Sequence, residues 1–313
     1  MGERVSTTDR RALLVTLRRL GILAFAAFVL AGSALERGSQ KSAPADSMLV
    51  ADLHVHPFPG DGALTPWQLQ REAARRGLDV IAVAGHNNRV ALTLARAFGL
   101  LSDTPIVIDS QELTSPGFHI VAVGVKEMID WKASVPEAVR AIHAQGGVAI
   151  AAHPVPLAWK PLDEASLAAL DGVEVAHPMA AGTGSSRRHL DAFFARARAA
   201  KPGIAPIGST DFHGAAPLGL CRTYLLTTDR SAEGAVAAIR AGRTVAEDQY
   251  GRLFGSAEHI RQVARRHPSH ASGEVPPAEK WAAIGALAML ALALSGRVGR
   301  RSARPPLPDR QSA

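Results

Sequence analysis

A chain of 313 residues, 47% of them hydrophobic, has room for one large domain with appendages, and its single cysteine, Cys221, excludes an internal disulfide. The formal net charge is +7, yet residues 48–247 hold 18 Lys and Arg against 19 Asp and Glu, while residues 1–47 carry +3 and residues 248–313 carry +5. A near-neutral body excludes the basic track that a long nucleic acid requires.

In chain order, the first feature is "LGILAFAAFVLAGSAL", residues 20–35, an uncharged run behind "DRRALLVTLRR". Its counterpart is "WAAIGALAMLALALSG", residues 281–296, followed by "RVGRRSAR". Each lies beyond a polar linker and neither has an amphipathic stripe, so both are expected to be membrane spans, although at 16 residues they are shorter than the usual roughly 18–20. The first alternatively reads as a signal peptide with a small-residue cleavage site at "AGSA". Arginines on the outer side of both runs predict cytoplasmic termini and a body on the far side of the cell membrane, in contact with the lipid bilayer. The expected division is 1–47 as basic segment, anchor and linker, 48–250 as body, 251–280 as linker, 281–296 as span and 297–313 as basic tail.

Within the body, short apolar runs alternate with helical stretches. Strands are expected at 48–53, 80–84, 106–109, 120–123, 148–152, 173–175, 204–208 and 223–226. Helices are expected at 66–76, 90–98, 136–145, 162–170, 188–199 and 232–240. This alternation predicts an α/β architecture, either a parallel barrel or a doubly wound sheet.

Ionisable residues collect where these strands end. His54 and His56 close the first strand and, one residue apart in an extended chain, point to the same side. His86 follows the second strand, Glu112 the third, His153 the fifth, and Asp211 and His213 the seventh; His119 instead opens the strand in "GFHIVAVGV". An isolated H-x-H is equally a metal site and a satisfied pair, but barrel chemistry gathers at strand ends. Histidine with carboxylate suits Zn, Mn or Fe, and five or more such groups imply more than one ion. Neither a G-x-S-x-G elbow nor a P-loop offers other chemistry.

Taken together, "DLHVH", "DGALTPWQLQREAARRGLDVIAVAGHNN", "QELT", "AIHAQGGVAIAAHP", "GSTDFH" and "RTYLLTTDRSAEGAVAAIRAGRTVA" resemble, over residues 49–246, the polymerase and histidinol phosphatase (PHP) family of metal-dependent phosphoesterases. The resemblance implies a distorted (β/α)7 barrel with two or three divalent ions at the C-terminal ends of its strands. It implies that His54, His56, Glu112 and Asp211 hold the first ion. Glu112 would bridge to a second on His119 and His153, and a third would sit on Asp61, His86 and His213. Glu112, Asp211 and His213 are thereby implied as catalytic, and Arg222, in the family's "RTY" position, as a phosphate contact. One departure is Ala84-Gly85-His86 where the family carries Thr-Asp-His, which removes a ligand or a group that orients one. The expected activity is hydrolysis of a small phosphate ester by metal-activated water. A metal-binding barrel without turnover and a nuclease for short oligonucleotides remain as alternatives. Glu174 and His177 are expected to play structural or substrate-side roles, and His143 and His189, within helical stretches, to be surface or packing residues.

Overall fold

The computed structural model describes residues 47–265, apart from 156–158, 161, 182, 183 and 215, together with residues 16 and 20. The chain divides into two compact units, and the one spanning Arg37–Pro276 holds every described residue except those last two.

Apolar runs rich in Val, Ile and Ala form ten strands. They are β1 (Leu49–Val55), β2 (Val80–His86), β3 (Ile106–Ser115), β4 (Phe118–Val123), β5 (Val148–Ala151), β6 (Gly172–Ala176), β7 (Ala205–Gly208), β8 (Arg222–Leu225), β9 (Thr244–Glu247) and β10 (Leu253–Phe254). They make a single sheet in the order β10-β9-β8-β1-β2-β3-β4-β5-β6-β7. β1, β2 and β3 are parallel, as are β5, β6 and β7, but β4 runs antiparallel to both β3 and β5, and β8 antiparallel to β1 and β9. The expected all-parallel alternation is therefore corrected. The turn at Ser115–Phe118 folds β3 back on β4, and β8 to β10 form an antiparallel meander.

The sheet curls until β7 meets β8. Thr223 Oγ1 accepts from Gly208 N (2.9 Å) and donates to Gly208 O (2.8 Å), and Thr244 Oγ1 donates to Pro206 O (2.9 Å). The strands approach this closely because residue 208 is glycine: a Cβ there would lie 2.2 Å from Arg222 O. The result is a nearly closed α/β barrel.

The helices packed with it, among the described residues, are α1 (Pro66–Arg75), α2 (Val90–Ala97), α3 (Val135–Ala144), α4 (Glu164–Ala169), α5 (Gly184–Ala200), α6 (Ala232–Arg240) and α7 (Ala257–Ala264). Their starts are written in the sequence as polar caps. Thr65 N donates to Gln68 Oε1 (2.8 Å) before α1, and Ser134 N to Glu137 Oε2 (2.9 Å) before α3, each within a capping box. Inside the barrel Leu49, Ala51, Val80, Val148, Ala205 and Ile207 pack with Ala235, Ala238 and Ile239 of α6. That helix fills the end where β1, β2, β5 and β7 begin, and leaves the other end for polar residues.

Among the described residues no helix is long and apolar enough to cross a membrane. This corrects the expected location at the cell membrane with an extracytoplasmic body. The two expected spans, residues 20–35 and 281–296, lie outside the described residues except for Leu20.

Candidate metal centre

The site begins with an irregularity in β1. Asp52 pairs with Ile81 and Val55 with Val83, three steps on β1 against two on β2. Leu53 consequently packs with Leu49 and Ala51 in the inner cluster, while Val55 joins Val50 in the outer one. Bulges re-aim side chains in this way, and here the bulge turns both His54 and His56, fully buried, towards the open end. Asp52, also fully buried, fixes the geometry by accepting from the backbone N–H groups of Thr210 (3.0 Å), Gly219 (2.9 Å) and His54 (3.4 Å).

Glu112 lies at the middle of the cluster. It sits inside β3, not after it, opposite His86 of β2 and Val121 of β4. Its carboxylate is fully buried, and neither oxygen has a hydrogen-bond partner of good geometry among the described residues. Oε2 faces His86 Nδ1 at 2.6 Å, His56 Nε2 at 3.5 Å and His54 Nε2 at 3.6 Å. Oε1 faces His119 Nδ1 at 3.0 Å and His153 Nε2 at 3.3 Å. His119 reaches this end because β4 runs backwards, so that its first residues stand beside the last residues of β3.

Asp211 and His213 come from the loop after β7. That loop is tied to β1 by His56 N donating to Phe212 O (2.9 Å) and Phe212 N to His54 O (3.3 Å). Asp211 Oδ1 lies 2.9 Å from His56 Nε2 and 3.4 Å from His54 Nε2. Asp61 draws in His86 Nε2 (3.0 Å), His213 Nε2 (3.2 Å) and His56 Nδ1 (3.3 Å). Three non-glycine residues with positive φ border the cluster, namely Asn87 (48°), His153 (29°) and Asp211 (52°), and backbone strain of this kind concentrates at functional sites. Asn87 earns its conformation by bonding Thr114 twice, Nδ2 to Thr114 O and Thr114 N to Oδ1, both 2.9 Å.

Four groups of side chains have ligand atoms close enough to share an ion: His54, His56 and Glu112; Glu112, His119 and His153; His54, His153 and Asp211; and His56, Asp61, His86 and His213. All nine residues implied as ligands are thus brought together, with His56 additionally facing the third set. Gly85 does not break that set. The turn closes on it, a Cβ would meet Asn88 O at 2.9 Å, and His86 still reaches both Asp61 and Glu112.

No family model matches the sequence. The chain is 32% identical over 142 residues to an uncharacterized protein of Methanocaldococcus jannaschii, a match that covers 40% of this chain and 80% of that protein. It is 33% identical over 85 residues, 25% of this chain, to a phosphoribosyl 1,2-cyclic phosphate 1,2-diphosphodiesterase of Eggerthella lenta, of which it spans 32%. The barrel superimposes with a TM-score of 0.55, at 21% identity and over 74% of each chain, on a two-domain protein from Bacteroides vulgatus that contains a predicted PHP-like metal-dependent phosphoesterase. The barrel has the fold of that PHP-like protein.

In this PHP barrel the charge balance of the centre is set by mutual attraction. Burial opposes charge on His54, but the carboxylates of Asp211, Glu174 and Glu112 outweigh it and raise its pKa well above the ordinary value. Burial likewise opposes charge on His86, and Asp61 and Glu112 overcome it to bring the pKa to about 10. Burial would push Glu112 up, yet His54 and the other facing histidines hold it well below the carboxylate range, and Asp211 and Asp61 are lowered in the same way. Asp52 has no such neighbours, and burial lifts it to about 6 against its backbone donors.

Arg222 is not brought into this PHP centre. It shares the outer face of β8 with Tyr224, and its Nε donates to Gly219 O (3.1 Å) and lies 3.9 Å from Glu247 Oε2. Glu174 does contribute, as a fully buried carboxylate beneath the ligands. Its Oε1 accepts from His54 Nδ1 (2.9 Å) and Ser209 Oγ (2.5 Å), and its Oε2 from His153 N (2.6 Å). The sequence signal for it was a carboxylate within an otherwise apolar strand.

Proposed function

We propose that this PHP protein is a phosphoric ester hydrolase, acting on a small phosphorylated molecule with two or three divalent ions, Zn, Mn or Fe. The observation that carries the reading is the buried Glu112 carboxylate, which among the described residues has no hydrogen-bond partner of good geometry, with three histidine nitrogens before one oxygen and two before the other. A carboxylate so placed suits two cations at once. His54, His56 and Asp211 would hold one with Glu112, His119 and His153 the other, and Asp61, His86 and His213 a third. A second fit is the 3.0 Å separation of His54 Nε2 and His56 Nε2. With His54 Nδ1 committed to Glu174, two lone pairs would face each other there unless a cation or proton lay between them.

Divalent ions bound in such sites supply a water acidic enough to ionise near neutral pH and positive charge against phosphoryl oxygens. The chain's own residues supply orientation. Glu174 fixes the tautomer of His54 so that Nε2 faces the centre, an arrangement that sharpens ligand geometry. The bulge in β1 and the Asn87–Thr114 clasp hold His56 and His86 against opposite sides of Asp61. Glu112, Asp211 and His213 line the open end, where the reacting groups would lie. A near-neutral body favours a small substrate over a long polyanion, and the Eggerthella lenta enzyme acts, by its name, on a small cyclic phosphate ester. We assign the activity to the barrel body, residues 48–250, with the flanking segments outside it.

The deciding experiment is turnover of phosphomonoester and phosphodiester panels by the full chain, with Mn, Zn and Fe supplied separately. Hydrolysis of a small ester that depends on added metal supports the reading. Bound metal without turnover would favour a binding barrel, and preference for short oligonucleotides a nuclease.

A further inference from the structure

We propose that His177 is a positioning residue for Asp211, an inference that rests on the metal-centre reading above. His177 follows β6 and is 2% exposed. Its Nδ1 accepts the N–H of Met179 (3.2 Å), so the neutral ring carries its proton on Nε2. A nitrogen that carries a proton has no lone pair for a cation. His177 is therefore not a ligand, although its ring centroid lies 5.4 Å from that of His153.

What remains is a buried donor. Among the described residues Nε2 lacks a hydrogen-bond partner, with Asp211 Oδ2 at 3.7 Å and Glu174 Oε2 at 3.9 Å. Glu174 is already occupied on both oxygens, by His54 and Ser209 on one and His153 N on the other. Asp211 is different: Oδ1 points to His54 and His56, while Oδ2 points to His177 and, at 3.8 Å, to His153 Nε2. Donation from His177 to Oδ2 fixes which Asp211 oxygen turns towards the His54–His56 pair. The support comes from a different strand than the loop carrying Asp211, whose backbone is left-handed at φ 52° and gives the side chain no strand neighbours of its own. Partners of this kind are worth roughly 10–100-fold in metal affinity or activity.

The test compares His177→Leu, which lacks the donor, with His177→Gln, whose amide places an N–H near the position of Nε2. Both lose the Met179 contact, so a difference between them reports the donor alone. In the full chain, Mn(II) affinity measured by chelator competition should weaken roughly 10–100-fold in His177→Leu and only a few-fold in His177→Gln. Should His177→Leu fail to fold, His177→Phe, which keeps ring volume without the donor, takes its place. Wild-type Mn(II) affinity in the donor-less variant, or equal losses in the two variants, overturns the proposal. If wild type binds Mn(II) but hydrolyses no ester, the functional reading fails while the affinity comparison still decides the role of His177. If wild type binds no divalent ion, both fall.

Discussion

At the scale of single residues, the centre is an assembly of histidines and carboxylates with the make-up of a metal site. Glu112→Gln keeps the volume and removes the charge both sides of the centre face. Loss of one preorganised electrostatic contact costs about 10²–10³ in rate, so kcat for the ester substrate should fall by at least a hundredfold, with the circular dichroism spectrum retained. Full turnover under saturating metal would refute the bridging role. His143 is a poor control despite its surface position, because its Nε2 pairs at 2.6 Å with the buried carboxylate of Asp171. The exposed His189 on α5 serves better, and His189→Gln should leave the rate unchanged. A pH effect follows from the raised histidines. Metal takes the neutral ring, whereas His54, His86 and His213 all bind protons more tightly than usual when the site holds none. Mn(II) uptake at pH 7 should therefore release protons, and affinity should climb as pH rises from about 6.5 towards the value of about 10 for His86. Over the same window the metal-free protein should lose stability, since a pKa raised on folding stabilises fully below the unfolded value and ceases to do so above the folded one. Calorimetry in buffers of differing ionisation enthalpy reads the protons; metal uptake without proton release would contradict the assignment.

At the scale of elements, the sequence made the strands and their polar ends legible because burial and chemistry both leave local marks. Apolar runs located β1, β2, β5, β6 and β7 within a few residues, with His54, His56, His86, His153, Asp211 and His213 near the ends of four of them. Direction leaves no such mark. The reversal of β4 depends on a turn whose Pro116 and Gly117 were visible, yet only pairing shows that Glu112 lies within β3 and that His119 opens a returning strand. The bulge in β1 was hidden because "DLHVH" reads as plain alternation, whereas one extra residue decides where His54 points. Arg222 followed the family pattern in sequence, but strand parity puts it on the outer face with Tyr224. Apolar packing continues past residue 250. Val263 of α7 is 1% exposed and packs with Leu253, Ile260 and Val245. A chain ending at residue 250 should thus be less stable than one ending at 276 by roughly 3 kcal/mol or more, given about 1.5–3 kcal/mol per buried apolar side chain. Urea denaturation compares the two; equal midpoints would show that β10 and α7 are dispensable.

At the scale of the whole molecule, the barrel is held along most of its circumference by backbone ladders and along one line by hydroxyls. Thr223→Val removes both bonds to Gly208 and leaves a buried N–H and C=O unpaired, each of which costs about 1–3 kcal/mol. Equilibrium unfolding of this variant should show a loss of that order, and an unchanged free energy would mean that apolar packing alone shuts the barrel. The β7–β8 line is therefore a seam, and the loop that continues β7 carries Asp211 and His213 back to His54 and His56 on the far side of it. A cation bound among those four side chains acts as a rivet across the seam. Amide hydrogen exchange should find β7 among the fastest-exchanging strands without metal, and Mn(II) should slow that strand more than β2 or β3, which are laced on both edges. On this view, ions bound at the open end would also decide how often the barrel breathes.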